Sequence, residues 1–458
     1  MADCGTWSGV LDLHVPSEMI RLFRVSIPAG VLALLASEIG LTTLCFVAAA
    51  HLVLRYEVST YFFDLGGLLQ TALVVMSIIL GLYFSDLYTR IRVKSRTRLL
   101  QDLSQVIGIA LLAQGLIAYA TPELRLGRGI MLVGTILCFF ALFLWRLFFE
   151  RFILDAMSGD RILFVGINPV VQEMAGYISR YRELGLSIAG YVVDGVAAGA
   201  PLTGAKALGP VADLRKIVAV IKPSRIVVGM SERRDRMPVP ELLDLRFAGF
   251  AIDEAGSAYE VVCSRICAKE LRPGELIFSG KFGPRPGAIF IQNILNFSIS
   301  IVGALLTLPV MAVIALAVKL TAKGPILDRQ TRVGKDGAPF VLYRFHSTLK
   351  VVRRLRLDGL PQLFNLLRGE ISLVGPRPER PEFVKILSEQ IPYYRQRHCV
   401  KPGLTGWAQI NHYDRDTLED TVTKLEYDLY YIKNIAPSLD AYIIFHTLKT
   451  MVAASSVG

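Results

Sequence analysis

The sequence predicts a membrane α-helical bundle plus α/β: four transmembrane helices, a Rossmann-like doubly wound domain, and a C-terminal segment opened by a re-entrant membrane helix. Three observations predict it. Hydrophobic residues make up 53% of the 458-residue chain and the mean hydropathy is +0.46, too apolar for one soluble globule. Short β-rich runs alternate with helical stretches between residues 160 and 270. A further apolar run after them has a proline inside it and basic residues at both flanks.

The chain opens on an N-terminal segment, residues 1–26, followed by the transmembrane region, residues 27–150. The runs Ile27–Leu54, Phe62–Phe84, Leu99–Ala120 and Gly129–Phe149 each reach the roughly 20 residues that a spanning helix needs. The loop between the second and third holds Arg90, Arg92, Lys94, Arg96 and Arg98 against Asp86, whereas the other loops are nearly balanced in charge. Positive loops stay inside, so this loop, the N-terminus and everything after the fourth span are expected in the cytoplasm. The cysteines are scattered. Cys263-x-x-x-Cys267 has neither zinc spacing nor a second ligand pair, so reduced, buried thiols are expected there.

In the α/β domain, residues 160–270, the runs Arg161–Gly166, Ser187–Val193, Arg225–Gly229 and Phe247–Ile252 read as strands, with helices near 170–184, 211–221 and 239–246. A dinucleotide fingerprint needs three glycines in the first turn. Here Gly166 is followed by Asn168 and Val171 where the second and third belong, which disfavours nucleotide binding; a regulatory or assembly role is expected instead. Asp194 near the second strand's end reads equally as a ribose ligand or a turn former. Residues 271–287, rich in Pro and Gly, read as a linker.

The fifth apolar run, residues 288–320, is flanked by Lys281 and Arg285 before and by Lys319 and Lys323 after, and contains Pro309. A helix that enters the membrane, bends near Thr307–Pro309 and returns to the same face satisfies both facts; a kinked fifth span is the alternative. From Lys319 to Gly403, seventeen Lys/Arg stand against seven Asp/Glu, which is nearly the chain's whole net charge of +11. Such a field beside a membrane helix favours anionic headgroups or a phosphorylated substrate. Nucleic acid is disfavoured, because the basic residues are interleaved with Pro-Gly turns rather than with stacking aromatics.

Within that field specific blocks follow in order: Gly324-Pro325-Ile326, Gln330-Thr-Arg332-Val-Gly334, Tyr343-Arg344-Phe345, Leu357-Asp358-Gly-Leu-Pro361-Gln362, Gly375-Pro-Arg377-Pro, Lys401-Pro-Gly403-Leu-Thr405-Gly406-Trp407 and Leu425-Glu426-Tyr-Asp428. Over about 290–452 the sequence resembles the large monotopic phosphoglycosyl transferases, the polyprenyl-phosphate hexose-1-phosphate transferases of bacterial exopolysaccharide and O-antigen assembly. The resemblance makes 288–452 a sugar transferase catalytic domain and implies a multi-pass protein of the bacterial inner membrane. It also implies a UDP-sugar and undecaprenyl phosphate as substrates, membrane lipids as surroundings, and Mg2+ as cofactor; a homo-oligomer stays open.

The resemblance further implies two-step covalent transfer. By position the nucleophile is Asp358, since a carboxylate is anionic at neutral pH and its acyl phosphate is reactive. Arg377, between Pro376 and Pro378, reads as the diphosphate clamp; Arg380, Lys401, Arg332 and Arg344 complete the phosphate-binding set. Asp358 and Glu379 are the metal ligands to consider. Trp407 and the tyrosines 427, 430 and 431 read as core or membrane-interface anchors.

Four departures stand out. Family members carry Asp-Glu at the site, where this chain has Asp358-Gly359; Glu370, Glu379 or Glu382 would have to replace the missing oxygen ligand. A Lys-Phe-Arg-Ser block reads Arg344-Phe345-His346-Ser347, the stretch from Ser347 to Asp358 is short, and Gln292, Asn293 and Asn296 replace a charged pattern at the start of the re-entrant helix. Two readings follow: a working transferase, or an impaired homologue that serves as a membrane scaffold or substrate-binding partner.

Overall fold

The computed structural model describes residues 19–22, 25–55, 58–88, 91, 95–154, 160–181, 185–193, 202, 204–230, 237–268, 271, 283, 286–321, 324–346, 352, 357–412 and 417–456. Arg90, Arg92, Lys94, Asp194, most of the expected linker and most of the short stretch before Asp358 lie outside them. The chain divides into two compact units, one mainly Ile27–Asp253 and one mainly Glu254–Gly458.

In the first unit, the apolar runs form α1 (Ala29–Leu54), α2 (Gly67–Phe84), α3 (Arg96–Ala120) and α4 (Arg128–Phe148), with a short helix, Val58–Phe63, before α2. Each is long and apolar enough to cross a membrane. They bury Leu34, Phe46, Leu82, Leu103 and Leu142 against one another and leave other leucines outward, as lipid-facing helices do. The bundle also encloses one ion pair, Arg146 on α4 with Glu38 on α1 at 2.7 Å, and the arginine donates to the Leu87 carbonyl as well. A buried charge in an apolar bundle is tolerable only when paired in this way.

The same unit continues into a five-stranded sheet: β1 (Asp160–Val165), β2 (Leu186–Val192), β3 (Ala207–Gly209), β4 (Arg225–Val228) and β5 (Ala251–Glu254), in the order 3-2-1-4-5. The pairs β1–β2, β1–β4 and β2–β3 are parallel. Three helices connect the strands, α5 (Pro169–Arg180), α6 (Leu214–Ile221) and α7 (Val239–Phe247). Phe247–Ile252 is not a strand as expected: α7 runs on through Phe247, whose ring is exposed, and the strand starts at Ala251. In the first turn, Asn168 caps α5 by accepting from the Val171 N–H at 2.8 Å.

The second unit begins with α8 (Ala255–Cys263), although the sequence places residues up to 270 in the α/β domain. Cys263 and Cys267 are buried and form no disulfide. Next comes α9 (Pro286–Thr321), one unbroken 36-residue helix with Pro309 inside it, and the fifth that is long and apolar enough to cross a membrane. Gln292, Asn296, Ser300, Met311, Ile314 and Val318 are buried, a single stripe at helical spacing that meets the rest of the unit near both ends of the helix. Most of its other apolar residues are exposed, among them Phe297, Leu306 and Val313.

Beyond α9 the unit consists of an antiparallel hairpin, β6 (Leu327–Val333) with β7 (Pro339–Phe345), then α10 (Gln362–Leu367), β8 (Ser372–Val374), α11 (Pro381–Gln390), β9 (Gly403–Thr405), α12 (Trp407–Asn411), α13 (Leu418–Asn434) and α14 (Pro437–Ser456). Trp407, Tyr427, Tyr430 and Tyr431 are core residues here. α13 is the hub. Its Glu426 accepts from Tyr259 and from the Ala268 N–H and faces Arg265, which ties α8 and its continuation to the unit.

Candidate functional site

The hairpin register explains why the basic residues converge. Asp328 lies opposite Arg344 and Arg332 opposite Phe340. Directly opposed residues share a face, and so do alternate ones, so Asp328, Gln330, Arg332 and Arg344 project together. Arg344 Nη2 reaches Asp358 Oδ2 at 2.9 Å across the turn that starts α10. Arg332 donates to Gln330 Oε1 at 2.8 Å and to the Pro378 carbonyl at 3.2 Å. Its Nε and that of Arg344 are buried without a hydrogen-bond partner.

Asn365, fully buried on α10, locks this arrangement. It accepts from the Tyr343 N–H and donates to the Val341 carbonyl and to Glu370, all within 3.2 Å, so the helix that follows Asp358 is fastened to the strand that carries Arg344.

The second wall is the loop after β8. Gly375 N–H donates to the Thr405 carbonyl, and Gly403 N–H to that of Pro376, both at 2.9 Å. A Cβ on Gly375 would lie 2.6 Å from the Lys401 carbonyl oxygen, so this crossing needs glycine. It delivers Arg377, Glu379 and Arg380 beside Arg332. Burial lowers the Arg332 pKa, Glu379 raises it, and the positive charges of Arg380, Arg377 and Arg344 lower it further. Four guanidinium groups therefore feel one another here, with two carboxylates among them.

Arg397 fixes the Arg377 backbone. Buried, it donates to Asp428 at 2.8 Å, to Tyr394 at 2.7 Å and to the Arg377 carbonyl at 3.1 Å. Burial opposes its charge, but Asp428 outweighs that and holds the guanidinium above its ordinary pKa. Lys401 points elsewhere, to Asn293 on α9 at 3.1 Å; burial and Lys335 both push it down. Pro309 lies exposed midway along α9.

The structure thus brings Asp358, Arg344, Arg332, Arg377, Arg380 and Glu379 together and ties Lys401 to the membrane helix. Sequence reasoning missed Asn365, Arg397 and Asp428, whose roles appear only once the chain is folded. It noticed Gln292, Asn293 and Asn296 only as departures. They are anchors: Gln292 donates to Tyr431 and Asp440 at 2.8 Å, and Asn296 to Ser372 at 2.8 Å. Polar residues at positions 292, 296 and 300 of an apolar helix were the available signal.

The donors present suit a magnesium ion poorly, because the two carboxylates gathered here, Asp358 and Glu379, both lie among guanidinium groups. No group of three His, Cys, Asp or Glu side chains able to hold a metal occurs among the described residues. Asp358 faces a guanidinium, Gly359 offers no side chain, and Glu370 is engaged by Asn365 at 2.6 Å.

The model of a family described as "Bacterial sugar transferase" matches residues 287–350 and 348–454, two segments that meet at the short stretch before Asp358. A UDP-N-acetylgalactosamine-undecaprenyl-phosphate N-acetylgalactosaminephosphotransferase of Aeromonas hydrophila is 36% identical over 215 residues, covering 42% of this chain and 50% of that protein. The chain therefore spans only half the length of that relative. A UDP-glucose:undecaprenyl-phosphate glucose-1-phosphate transferase of Xanthomonas campestris pv. campestris is 29% identical, over 66% of this chain and 69% of its own length. One of the same description from Caulobacter vibrioides is 30% identical over 41% of this chain and 76% of its own length. With three quarters of a relative matched at 30% identity, and the family model matching the segments around Asp358 and Arg377, the chain belongs to the bacterial sugar transferase family.

Proposed function

We propose that the protein transfers a sugar 1-phosphate from a UDP-sugar to undecaprenyl phosphate and so starts a lipid-linked glycan. One observation carries this reading: an aspartate held 2.9 Å from Arg344 on a face that also gathers Arg332, Arg377 and Arg380. That is an anionic nucleophile within a receptor for phosphate oxygens. The relatives' names supply the two substrates.

In the first step an Asp358 carboxylate oxygen attacks the β-phosphorus. A bond from oxygen to phosphorus forms, the bond from that phosphorus to the bridging oxygen breaks, and UMP departs with the electron pair. In the second, a phosphate oxygen of the lipid attacks the acyl phosphate and restores the carboxylate. Neither step consumes an oxidant or a net proton. Arg377 and Arg332 grip the diphosphate, Arg344 aims the nucleophile and then follows the transferred phosphoryl group, and Arg380 adds charge.

The site belongs on the cytoplasmic side of the bacterial inner membrane. α9 supports this as a re-entrant helix: its buried stripe meets its own unit near both ends, while its other face is apolar and exposed. A helix crossing straight through would leave one end far from that unit. For the sheet domain, the strand order supports a Rossmann-like assembly or regulatory module, and the Asn168 cap already occupies a donor that a pyrophosphate would use.

The test is direct. Purified protein given radiolabelled UDP-glucose or UDP-N-acetylgalactosamine with undecaprenyl phosphate should release UMP and form a lipid-linked product. No turnover with either donor or with other UDP-hexoses, in the presence or absence of magnesium, would leave the scaffold reading instead.

A further inference from the structure

We infer that this site neutralises the diphosphate with its own guanidinium groups, so that donor binding and transfer proceed without a divalent cation. The inference rests on the transferase reading above and concerns what replaces the second carboxylate of the Asp-Glu pair.

The donor set is the starting point. A magnesium ion takes one or two carboxylates besides phosphates and water, and the two gathered here, Asp358 and Glu379, both lie among guanidinium groups. Gly359 brings no side chain, Glu370 is bound to Asn365, and Asp358 Oδ2 already faces Arg344 at 2.9 Å. The sequence before Asp358 supplies no further ligand: residues 347–357 contain Lys350, Arg353, Arg354 and Arg356 and no Asp, Glu, His or Cys.

Charge accounting points the same way. Arg332, Arg344, Arg377 and Arg380 bring four positive charges, and Asp358, Glu379 and Asp328, which the hairpin sets opposite Arg344, bring three negative ones. The excess favours the two negative charges of a nucleotide-sugar diphosphate. A dication added to this set would be repelled by four guanidinium groups and attracted by three carboxylates, two of them already paired.

The geometry also leaves donors waiting. Arg332 Nε and Arg344 Nε are buried and unpartnered, and an N–H withdrawn from water is costly until it meets an acceptor. Phosphate oxygens would meet the part of the Arg344 side chain that is open, 42% of its surface. Guanidinium suits the task because it stays charged, is planar and donates in pairs. As UMP leaves, the charge growing on its terminal oxygen would fall among fixed cations, which is the service a metal renders in other phosphoryl transfer sites.

The experiment uses the full chain in detergent, stripped of metal, with and without EDTA or added Mg2+. Isothermal titration with UDP reports binding; UMP release from UDP-glucose and UDP-N-acetylgalactosamine with undecaprenyl phosphate reports turnover. The expected result is the same UDP affinity and the same UMP release in EDTA as in Mg2+, with Arg344→Lys lowering release by about 100-fold. UDP binding or UMP release that appears only with Mg2+ would overturn the inference and leave the transferase reading standing. UDP bound equally well in EDTA without UMP release from any donor would support the metal-free site and overturn the transferase reading. Failure to bind UDP under either condition would overturn both.

Discussion

An aspartate proposed to accept a phosphoryl group must be aimed, and the 2.9 Å contact from Arg344 does this at Asp358. Asp358→Asn keeps the shape and removes the proposed nucleophile, so UMP release should fall on the order of 10⁴-fold. Wild-type rates in that variant would mean that another group attacks phosphorus. The next residue decides what else the site can use. A Cβ on Gly359 would meet only Gln362 Nε2, at an ordinary 3.5 Å, so Gly359→Glu has room to add a carboxylate beside Asp358. Under the metal-free proposal that variant should gain a stimulation by Mg2+ over the unsubstituted chain. A magnesium titration of UMP release checks it, and a flat titration would show that position 359 does not govern metal use.

Secondary-structure elements place these residues, and there the sequence was read unevenly. The helices α1 to α4 were legible because uninterrupted apolar runs of about 20 residues have few other uses. The strand at Ala251–Glu254 was misplaced because Phe247, an apolar residue that suggests a strand, ends a helix with its ring exposed. The Asp358 and Arg377 motifs stood out in the sequence, but the Arg344–Asp358 contact did not, since spacing along a chain does not encode a hairpin face turned toward a helix. The same applies to α9, where Gln292, Tyr431 and Asp440 form a buried network within 2.8 Å. Burial raises the Asp440 carboxyl to about 6, and the hydrogen bonds from Tyr431 and Gln292 only partly offset this. An acid whose folded pKa is raised weakens the fold as it ionises, so this contribution is full below the unfolded value near 4 and lost as pH rises through about 6. The difference is about 3 kcal/mol. Thermal unfolding in detergent should therefore show less stability at pH 7 than at pH 5 from this group, and Asp440→Asn should flatten that dependence. A dependence unchanged in Asp440→Asn would assign it to other groups. On the same helix, Asn296→Leu strands the Leu373 N–H that Asn296 now accepts from at 3.2 Å, and should cost about 1–3 kcal/mol in the same assay.

At the scale of the whole molecule, the boundary of the catalytic unit differs from the boundary of the family resemblance. The family match begins at residue 287, whereas the compact unit takes in the chain from Glu254. The extra residues are not a passive leader. Arg265 faces Glu426 at 3.6 Å, Tyr259 and the Ala268 N–H donate to it, Glu260 pairs with Lys433 at 2.6 Å, and Trp407 donates to the Ser264 carbonyl at 2.9 Å. Glu426 is 2% exposed with these residues in place, so removing them takes away donors to a buried carboxylate, a loss of about 3–5 kcal/mol. Two truncated chains separate the possibilities. One starting at residue 250 keeps every contact just named and should fold in detergent and bind UDP as the full chain does. One starting at 287 keeps all of Asp358, Arg344 and Arg377 yet should unfold at markedly lower temperature, with UDP binding lost in parallel. Replacing Glu426 by Gln in the shorter chain removes the stranded charge and should recover part of the difference. If the chain from 287 is instead as stable as the chain from 250, residues 254–271 only pack against the catalytic unit and contribute nothing to its stability. The expected ordering follows from these contacts, because residues 254–271 both pack on Glu426 and donate to it.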